Sequence, residues 1–370
     1  MVNNNANRNV RVCIVTISLG KGGAERSTAL LSTMLFHIGF DVTIISLTNR
    51  IDYAYSGTLY NLGLLKKTPD RPLARFKRFR KLRRYIQEQK FDVIIDNRSK
   101  PSWAKELFYF NYLYRNQKLI YVVRNFKKEI YLSEKDWMTR KMIRRTKKII
   151  TVSQEIANLL NNRYNTSHFH PIYNPIESLL IKKPENWNIE QPYVLYLGRM
   201  DDKAKNIVLL LDAYSQSELP SINVPLVLVG EGEDVGLLTK RAKELGITDK
   251  VIHFDYTPQV GWYLHKAKFL ILSSRHEGFP RVLIEALSVG TPVVSVDCNS
   301  GPKEIVQHER NGLLVPNHNP KKLANAITRM YTDKQLYNQC KANAKESVQH
   351  LSIENIAKKW EEQILEAVKE

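Results

Sequence analysis

Apolar, β-prone runs alternate with helical segments along this chain, and the alternation occurs in two separate series. Such alternation is typical of a parallel sheet wrapped in helices. The length of 370 residues also exceeds what a single core usually holds. We therefore predict an α/β fold with two Rossmann-like, doubly wound parallel-sheet domains facing a cleft. The predicted strands are 10–18, 41–47, 91–96, 119–123 and 148–152 in the first series, and 193–198, 224–230, 251–254, 269–273 and 292–296 in the second.

A turn-rich segment, residues 174–186, separates the two series and is the predicted linker. The predicted domains are therefore residues 1–178 and 179–351. The remaining residues, 352–370, have the pattern of a helix that could return to the first domain, with Trp360 as its apolar anchor.

Positive charge is concentrated in the first half of the chain, which carries a formal net charge of +19 in total. Residues 1–180 contain 32 Lys and Arg against 13 Asp and Glu, whereas residues 181–370 contain 24 of each. The basic residues are densest at 66–90, and a second dense stretch lies at 140–148. A half-molecule this basic could bind nucleic acid, an anionic membrane or a phosphorylated substrate, or it could be a solvated surface without a partner.

The basic segment 66–90 contains a predicted amphipathic helix that begins at Pro72. Such a helix could lie on an anionic bilayer, or its rings could pack on the sheet and leave only the cations for lipid headgroups. We favour the second arrangement because a predicted buried strand, 91–96, follows directly. The apolar side consists of Phe76, Phe79, Leu82 and Ile86, and the opposite side of Lys77, Arg78, Arg80, Lys81 and Arg84.

The sequence favours a protein that does not span a membrane and has no structural disulfides. It contains no apolar run of about 18 residues, and its first residues lack the apolar core of a signal peptide. The three cysteines, Cys13, Cys298 and Cys340, are too few and too widely spaced for a disulfide framework or a CxxC zinc site. We expect a cytoplasmic protein that associates peripherally with the inner face of the cell membrane.

Turns that follow strands are the candidate sites, because ligands of such sheets bind at the carboxyl ends of the strands. The first of these turns contains Gly22 and Gly23 and opens a helix, which suits a phosphate but also an ordinary tight turn. A later turn contains Arg199 and Lys205. These two cations could hold one diphosphate, or they could simply be exposed to solvent.

The most specific segment, residues 273–287, contains two carboxylates with seven residues between them, Glu277 and Glu285. A Gly-Phe-Pro turn follows the first glutamate and starts a predicted helix that ends at Gly290. Backbone N–H groups at such a turn can donate to a phosphate or sugar oxygen. Both carboxylates could face the same ligand at different depths.

Several motifs together resemble the retaining glycosyltransferases of family 4, also called glycosyl transferases group 1, of the type that builds bacterial cell-envelope glycans. The resemblance covers nearly the whole chain and is strongest over residues 193–316. It implies the GT-B fold of two Rossmann-like domains. It also implies sugar transfer from a nucleotide donor, with retention of the anomeric configuration and without a metal. The motifs are GGAER (22–26), GRMDDKAKN (198–206), VGEGE (229–233), HEGFPRVLIEALSVGTPVV (276–294) and NGLLVP (311–316).

The resemblance also implies roles for individual residues. Arg199 and Lys205 would hold the donor diphosphate. Glu277 would contact the donor sugar, and Glu285 would bind the ribose. Asn125 occupies a position where many members carry a histidine, and it can hydrogen-bond a sugar hydroxyl but cannot act as a base. The implied catalytic residues are Glu277, Arg199, Lys205 and Asn125, and the implied donor-binding residues are Gly22, Gly23, Arg199, Lys205, Gly230, Glu277, Gly278, Phe279, Pro280 and Glu285.

The function expected from this resemblance is that of a retaining, metal-independent hexosyltransferase without a cofactor. The donor would be a UDP-hexose or UDP-N-acetylhexosamine, and the acceptor a lipid-linked or cell-surface polysaccharide at the cytoplasmic membrane face. The basic first domain would bind the acceptor and the anionic membrane surface. The alternatives are a GT-B enzyme of another reaction class, such as a sugar-nucleotide epimerase, or a nucleic-acid-binding protein. Because no zinc finger, RNP or helix-turn-helix pattern occurs, we expect no nucleic-acid partner.

Overall fold

The computed structural model describes residues 10–66, 70–100, 102–185, 187–257 and 259–369. Residues 67–69 of the basic segment and residue 186 of the predicted linker lie outside this set. The chain forms two compact units. Unit 1 consists of Met1–Asn174 and Ile353–Glu370, and unit 2 consists of Pro175–Ser352.

Unit 1 is built on a parallel sheet of seven strands in the order β3-β2-β1-β4-β5-β6-β7. Its central strands are apolar and buried, as expected when helices cover both faces of a parallel sheet. The five predicted strands are confirmed, whereas the short edge strands β3 and β7 were not predicted. The strands are β1 Arg11–Thr16, β2 Asp41–Ser46, β3 Thr58–Asn61, β4 Val93–Asp96, β5 Leu119–Val123, β6 Lys148–Thr151 and β7 Phe169–Pro171.

Helices connect the strands of unit 1, and the last helix of the chain, α14, packs against α1 and β4 in this unit. The helices of unit 1 are α1 Gly23–His37, α2 Pro72–Gln89, α3 Trp103–Phe108, α4 Asp136–Arg145, α5 Gln154–Tyr164 and α14 Ile353–Lys369. Two 3-10 helices lie at Leu62–Leu65 and Lys128–Ile130, and α3 continues into a π-helical turn at Tyr109–Leu113.

Helix α2 packs into unit 1 mainly through its second half. Leu82 and Ile86 are buried, and the ring of Phe79 packs edge-to-face on Phe108 with the ring centroids 5.5 Å apart. Phe76, which the sequence pattern places on the same apolar side, is instead 52% exposed. The prediction that the aromatic side packs on the core is therefore correct for the end of α2 and wrong for its beginning.

Unit 2 is built on a parallel sheet of six strands in the order β10-β9-β8-β11-β12-β13. Its five predicted strands are confirmed, and β13, which coincides with the NGLLVP motif, is additional. The strands are β8 Val194–Leu197, β9 Leu226–Val229, β10 Val251–Phe254, β11 Leu270–Leu272, β12 Val293–Asp297 and β13 Gly312–Pro316. The helices are α6 Asp202–Lys205, α7 Ile207–Gln216, α8 Val235–Glu244, α9 Val260–Lys266, α10 Arg281–Ser288, α11 Pro302–Ile305, α12 Pro320–Thr332 and α13 Lys334–Ser347, with 3-10 helices at Thr248–Lys250 and Gln349–Leu351.

Each of the three cysteines is buried as a free thiol. Burial raises the pKa of the Cys340 thiol to about 11. Within the described part of the chain, no helix combines the length and the apolar character that crossing a bilayer requires.

Candidate functional site

In unit 2, a lysine at the end of a short helix and a glutamate in a loop form a direct ion pair. Lys205 is the last residue of α6, which follows β8, and Glu277 lies in the loop that follows β11. The Lys205 Nζ is 2.6 Å from Glu277 Oε1. Strands β8 and β11 are neighbours in the sheet, so the loops at their carboxyl ends come together. Lys205 and Glu277, for which the family resemblance implies different roles, are thus in contact.

Ser274 is a second partner of Glu277 that the sequence analysis missed. The Ser274 Oγ donates a hydrogen bond to Glu277 Oε1 over 2.7 Å. Ser274 is fully buried two residues after β11. The carboxylate is therefore held by a cation and a hydroxyl together, which fixes the direction of the side chain. The Ser-Ser pair that ends this apolar strand was the available sequence signal.

Hydrogen bonds to backbone carbonyls position the segments that carry the ion pair. The Ser273 Oγ donates to the Lys205 carbonyl over 3.0 Å, and the Arg275 amide donates to a carbonyl of α6 over 3.0 Å. The Glu277 amide donates to the Asn299 carbonyl over 2.6 Å. These bonds connect α6 to the loops after β11 and β12, so three segments of unit 2 position Lys205 and Glu277.

The Gly278–Phe279–Pro280 turn that starts α10 is buried and closely packed. The Ser300 Oγ donates to the Gly278 carbonyl over 2.8 Å. Gly301 has a φ of 99°, and a Cβ there would lie 2.7 Å from Pro280 Cδ. Both the positive φ and the close approach require glycine at this position. The neighbouring loop therefore fixes the backbone of the turn.

Arg199 and Gly230 lie in adjoining turns after β8 and β9. The side chain of Arg199 is 70% exposed, and its Nε is 4.0 Å from Asp201 Oδ2. Gly230 has a φ of 146°, and a Cβ there would overlap the Gly198 carbonyl oxygen. Glycine at 230 therefore lets the two turns approach each other through their backbones. Arg199 extends from this contact towards solvent.

Glu285 is the fifth residue of α10 and is buried. The Arg281 Nη2 lies 3.5 Å from Glu285 Oε1 and also contacts the Glu177 carboxylate directly. One guanidinium thus joins two carboxylates. The four-residue spacing of Arg281 and Glu285 on a helix is a sequence signal for half of this arrangement.

Two buried side chains close to the Lys205–Glu277 pair remain protonated at ordinary pH. Burial raises the pKa of the Tyr196 hydroxyl well above its usual value, and the charge of Glu277 adds to the shift. Burial also raises the pKa of the Cys298 thiol, with Glu277 adding to the shift and Lys205 opposing it. Cys298 therefore does not supply a thiolate nucleophile.

In unit 1, the glycine turn leads directly into α1. The Gly22 amide donates to the Tyr53 hydroxyl over 3.4 Å. A Cβ at Gly23 would meet nothing within 4 Å, whereas a Cβ at Gly22 would overlap a carboxylate oxygen of Glu25. An anion at this turn would therefore meet the Glu25 carboxylate as well as the amides at the start of α1.

Asn125 and its neighbour Arg124 lie directly after β5. The Asn125 Oδ1 accepts a hydrogen bond from the Lys127 amide over 2.9 Å, a local contact that shapes the loop. The Arg124 Nε donates to Asn97 Oδ1 over 2.7 Å, and its Nη1 donates to Asn174 Oδ1 over 3.3 Å. Of these two residues, Arg124 is therefore the one whose side chain is oriented by long-range contacts, which the sequence analysis did not predict.

In the candidate site of unit 2, Lys205 and Glu277 are thus in contact. Arg199 lies in the turn between β8 and α6, and Glu285 lies on α10, the helix that follows Glu277. Among the residues that the structure describes, no group of three or more His, Cys, Asp or Glu is arranged to hold a metal ion. The chemistry that this site offers is electrostatic, since its cations can neutralise an anionic leaving group and its carboxylates can accept hydrogen bonds from hydroxyls.

Two family models match the chain in succession. The model described as Glycosyltransferase Family 4 matches residues 21–178, and the model described as Glycosyl transferases group 1 matches residues 178–347. Among curated relatives, the lipopolysaccharide 1,6-galactosyltransferase of Escherichia coli is 34% identical over 178 residues, which are 46% of this chain and 47% of that protein.

Two further similarities extend over almost the full length. The N-acetylgalactosamine-N,N'-diacetylbacillosaminyl-diphospho-undecaprenol 4-alpha-N-acetylgalactosaminyltransferase of Campylobacter jejuni is 26% identical over 355 residues, covering 90% of this chain and 93% of that protein. The crystal structure of Anabaena HepE in complex with UDP superposes with a TM-score of 0.76 at 19% identity, covering 95% of this chain and 99% of that chain. At that identity the structural similarity shows a shared fold.

Proposed function

Because this chain belongs to glycosyltransferase family 4 and has its GT-B fold, we propose that it transfers a hexose or N-acetylhexosamine from a UDP donor to a lipid-linked or cell-surface glycan. The transfer retains the anomeric configuration and uses neither a metal nor another cofactor. It serves the synthesis of a bacterial envelope polysaccharide, such as lipopolysaccharide or capsule. The names of the relatives from Escherichia coli and Campylobacter jejuni support this assignment.

The observation that carries the proposal is the contact between Lys205 and Glu277. A lysine for the diphosphate and a carboxylate for the sugar must lie within one donor length of each other, and their side chains are 2.6 Å apart. When the donor binds, the pair would open, with Lys205 turning to the diphosphate and Glu277 to the sugar hydroxyls. Arg199, exposed at the neighbouring turn, would add a bidentate contact to the diphosphate.

The proposed reaction exchanges one bond of the anomeric carbon for another. The bond to the diphosphate oxygen breaks, and negative charge grows on the departing UDP, where Lys205 and Arg199 would stabilise it. The acceptor hydroxyl attacks from the face that UDP leaves, and its proton passes to a phosphate oxygen of UDP. Glu277 would orient the donor sugar throughout, and Glu285 would hold the ribose.

The proposed acceptor is lipid-linked, and the enzyme would act at the cytoplasmic face of the membrane as a peripheral protein. The Campylobacter relative is named for an acceptor on diphospho-undecaprenol. The excess of positive charge in residues 1–180 supports binding of unit 1 to an anionic membrane surface. Unit 1 would therefore bind the acceptor, and unit 2 the donor.

The donor can be identified by thermal unfolding with a panel of nucleotide sugars, in EDTA so that no metal contributes. Ligand at 100 times its dissociation constant stabilises a protein by about 2.7 kcal/mol. UDP and one UDP-sugar should therefore raise the melting temperature, while GDP-mannose and uridine should leave it unchanged. Stabilisation by a GDP-sugar without stabilisation by UDP would contradict the proposed donor, and a strict metal requirement would contradict the proposed metal independence.

A further inference from the structure

The exposed apolar side chains of unit 1 are concentrated along one edge of its sheet. Among its described residues, ten large apolar side chains are exposed, and nine of these follow the carboxyl end of a strand, in a loop or in the first two turns of a helix. Because the strands are parallel, these segments lie along one edge, here called the carboxyl rim. The nine are Ile17, Leu64, Leu65, Leu73, Phe76, Trp103, Ile130, Trp137 and Leu159, and the tenth is Phe36.

Two tryptophans form an exposed pair on the carboxyl rim. Trp103 is the first residue of α3, and Trp137 is the second residue of α4. Their ring centroids are 5.9 Å apart, and the residues are 41% and 52% exposed. Tryptophan is enriched at membrane–water interfaces, because its large ring is apolar while its N–H can still reach water or headgroups.

The beginning of α2 adds a second apolar part to the rim. Leu73 is 78% exposed and lies one helical turn from the exposed ring of Phe76. The segments that carry the exposed apolar residues of the rim also carry exposed cations. Two of the carboxylates on these segments, Asp70 and Asp136, already pair with an arginine and a lysine, respectively. The exposed cations are Lys66, Arg71, Arg75, Lys77, Lys105, Lys127 and Lys135, and the carboxylates are Asp70, Glu129, Glu134 and Asp136.

The second basic stretch, 140–148, extends away from this rim. Helix α4 runs from the rim towards the opposite edge, which places Arg144 about 10 Å along its axis from Trp137. Lys148 begins β6 at that opposite edge and pairs with Glu366 over 3.0 Å. A flat membrane in contact with the rim would therefore not contact the end of this stretch. The charge of residues 140–148 was nevertheless part of the positive charge from which we expected membrane binding.

We propose that the carboxyl rim of unit 1 docks on an anionic bilayer. Trp103, Trp137, Leu73 and Phe76 enter the boundary between headgroups and acyl chains, and the rim cations contact anionic headgroups. The proposal rests on the proposed function in that a lipid-linked acceptor would reach unit 1 at the edge where its strands end. The combination of aromatic, aliphatic and cationic groups fits a bilayer, which offers both an apolar phase and negative charge.

The test is sedimentation of the full-length protein with phosphatidylglycerol-containing vesicles at several salt concentrations. Trp103→Ser with Trp137→Ser should lower the vesicle partition coefficient about tenfold or more. The control, Phe36→Ser, removes an exposed apolar group outside the rim and should bind like the wild type. The UDP-induced thermal shift, measured on each variant, shows that it is folded and reports on the proposed function separately from vesicle binding.

A second pair of variants, which lose equal charge at different places, tests which edge of unit 1 faces the membrane. Arg71→Gln with Lys77→Gln removes two rim cations and should weaken binding at low salt by about fivefold for each cation. Arg144→Gln with Lys147→Gln removes the same charge outside the rim and should have little effect. Equal losses in the two variants would overturn the proposed orientation, because they would show attraction by net charge alone.

Direct insertion is measured on the wild-type protein with lipids brominated in the acyl chains, which quench only tryptophans close to them. We expect quenching in the wild type and no quenching after Trp103→Phe with Trp137→Phe. Lack of quenching in the wild type would overturn the proposal even if the serine variants failed to fold. If the serine variant instead bound vesicles normally and converted a dimer into a monomer in ultracentrifugation, the rim would be an interface between two copies of this chain.

Discussion

Replacing Lys205 with methionine should lower the kcat of sugar transfer about 100- to 1,000-fold, the usual effect of removing one group that stabilises charge in a transition state. Methionine keeps the unbranched apolar stem and removes only the charge. The Lys205 Nζ lies 2.6 Å from Glu277, in the loop where we propose that the donor diphosphate binds. The rate of UDP release at saturating donor measures the effect.

Lys203 provides the matched control for this substitution. It lies on the same short helix, α6, and is exposed. Lys203→Met removes an equal charge without breaking the contact with Glu277, so the rate should stay close to that of the wild type. Equal losses in the two variants would indicate a general effect of charge on unit 2, and a normal rate in Lys205→Met would remove this lysine from the diphosphate site.

The two glutamates should separate nucleotide binding from turnover. Glu285→Gln should weaken the binding of UDP and of the whole donor alike, because Glu285 is proposed to hold the ribose. Glu277→Gln should leave UDP affinity nearly unchanged and lower turnover, because contacts to the sugar tighten as the anomeric centre flattens. A lost charge-assisted hydrogen bond is worth about 1.5–3 kcal/mol, or roughly 10- to 150-fold. Calorimetric titration with UDP, beside the transfer rate of each variant, measures both effects.

Glutamine is a suitable replacement because its amide oxygen still accepts hydrogen bonds, for example from Ser274 at position 277. If Glu277 only stabilised the start of α10 and Glu285 only paired with Arg281, both variants would lose melting temperature and keep normal kinetics. Loss of UDP binding in Glu277→Gln with normal UDP binding in Glu285→Gln would exchange the two roles and reverse the direction of the donor along the site.

Long apolar strands were predictable from the sequence, and short or interrupted ones were not. Strands β1, β5 and β9 are runs of Val, Ile, Leu and similar residues that parallel sheets bury on both faces, so composition alone identifies them. Strand β7 is three residues long and contains a proline, and β3 is a four-residue edge strand that ends in asparagine. Such segments become strands because a neighbouring strand supplies hydrogen bonds, which is a tertiary effect.

Helix α2 shows a limit of helical periodicity. The pattern correctly groups Phe76 with Leu82 and Ile86 on one side of the helix, but it does not say how far along the helix the core extends. The structure buries the last two and leaves the first exposed. Periodicity gives the direction of a side chain around the axis, whereas burial also depends on what lies opposite each turn.

The candidate site was predicted as residue types and positions, but not as contacts. Motif similarity pointed to Lys205, Glu277 and Glu285, which belong to the loops and helices that follow strands. The contact between Lys205 and Glu277 joins residues 72 positions apart. The contact between Arg281 and Glu177 joins residues 104 positions apart. Such contacts depend on strand order, and a single sequence contains little information on which distant loops the sheet brings together.

The most direct test of the proposed reaction is NMR of a transfer from UDP-α-N-acetylgalactosamine and UDP-α-glucose, isotope-labelled at the anomeric carbon. The reaction would contain EDTA and an undecaprenyl-diphosphate-linked sugar as acceptor. We predict that one of these donors releases UDP in step with a new glycosidic bond of α configuration, and that Lys205→Met slows both events equally. A β-linked product would contradict retention of configuration, and a donor converted to its epimer without release of UDP would contradict glycosyl transfer itself.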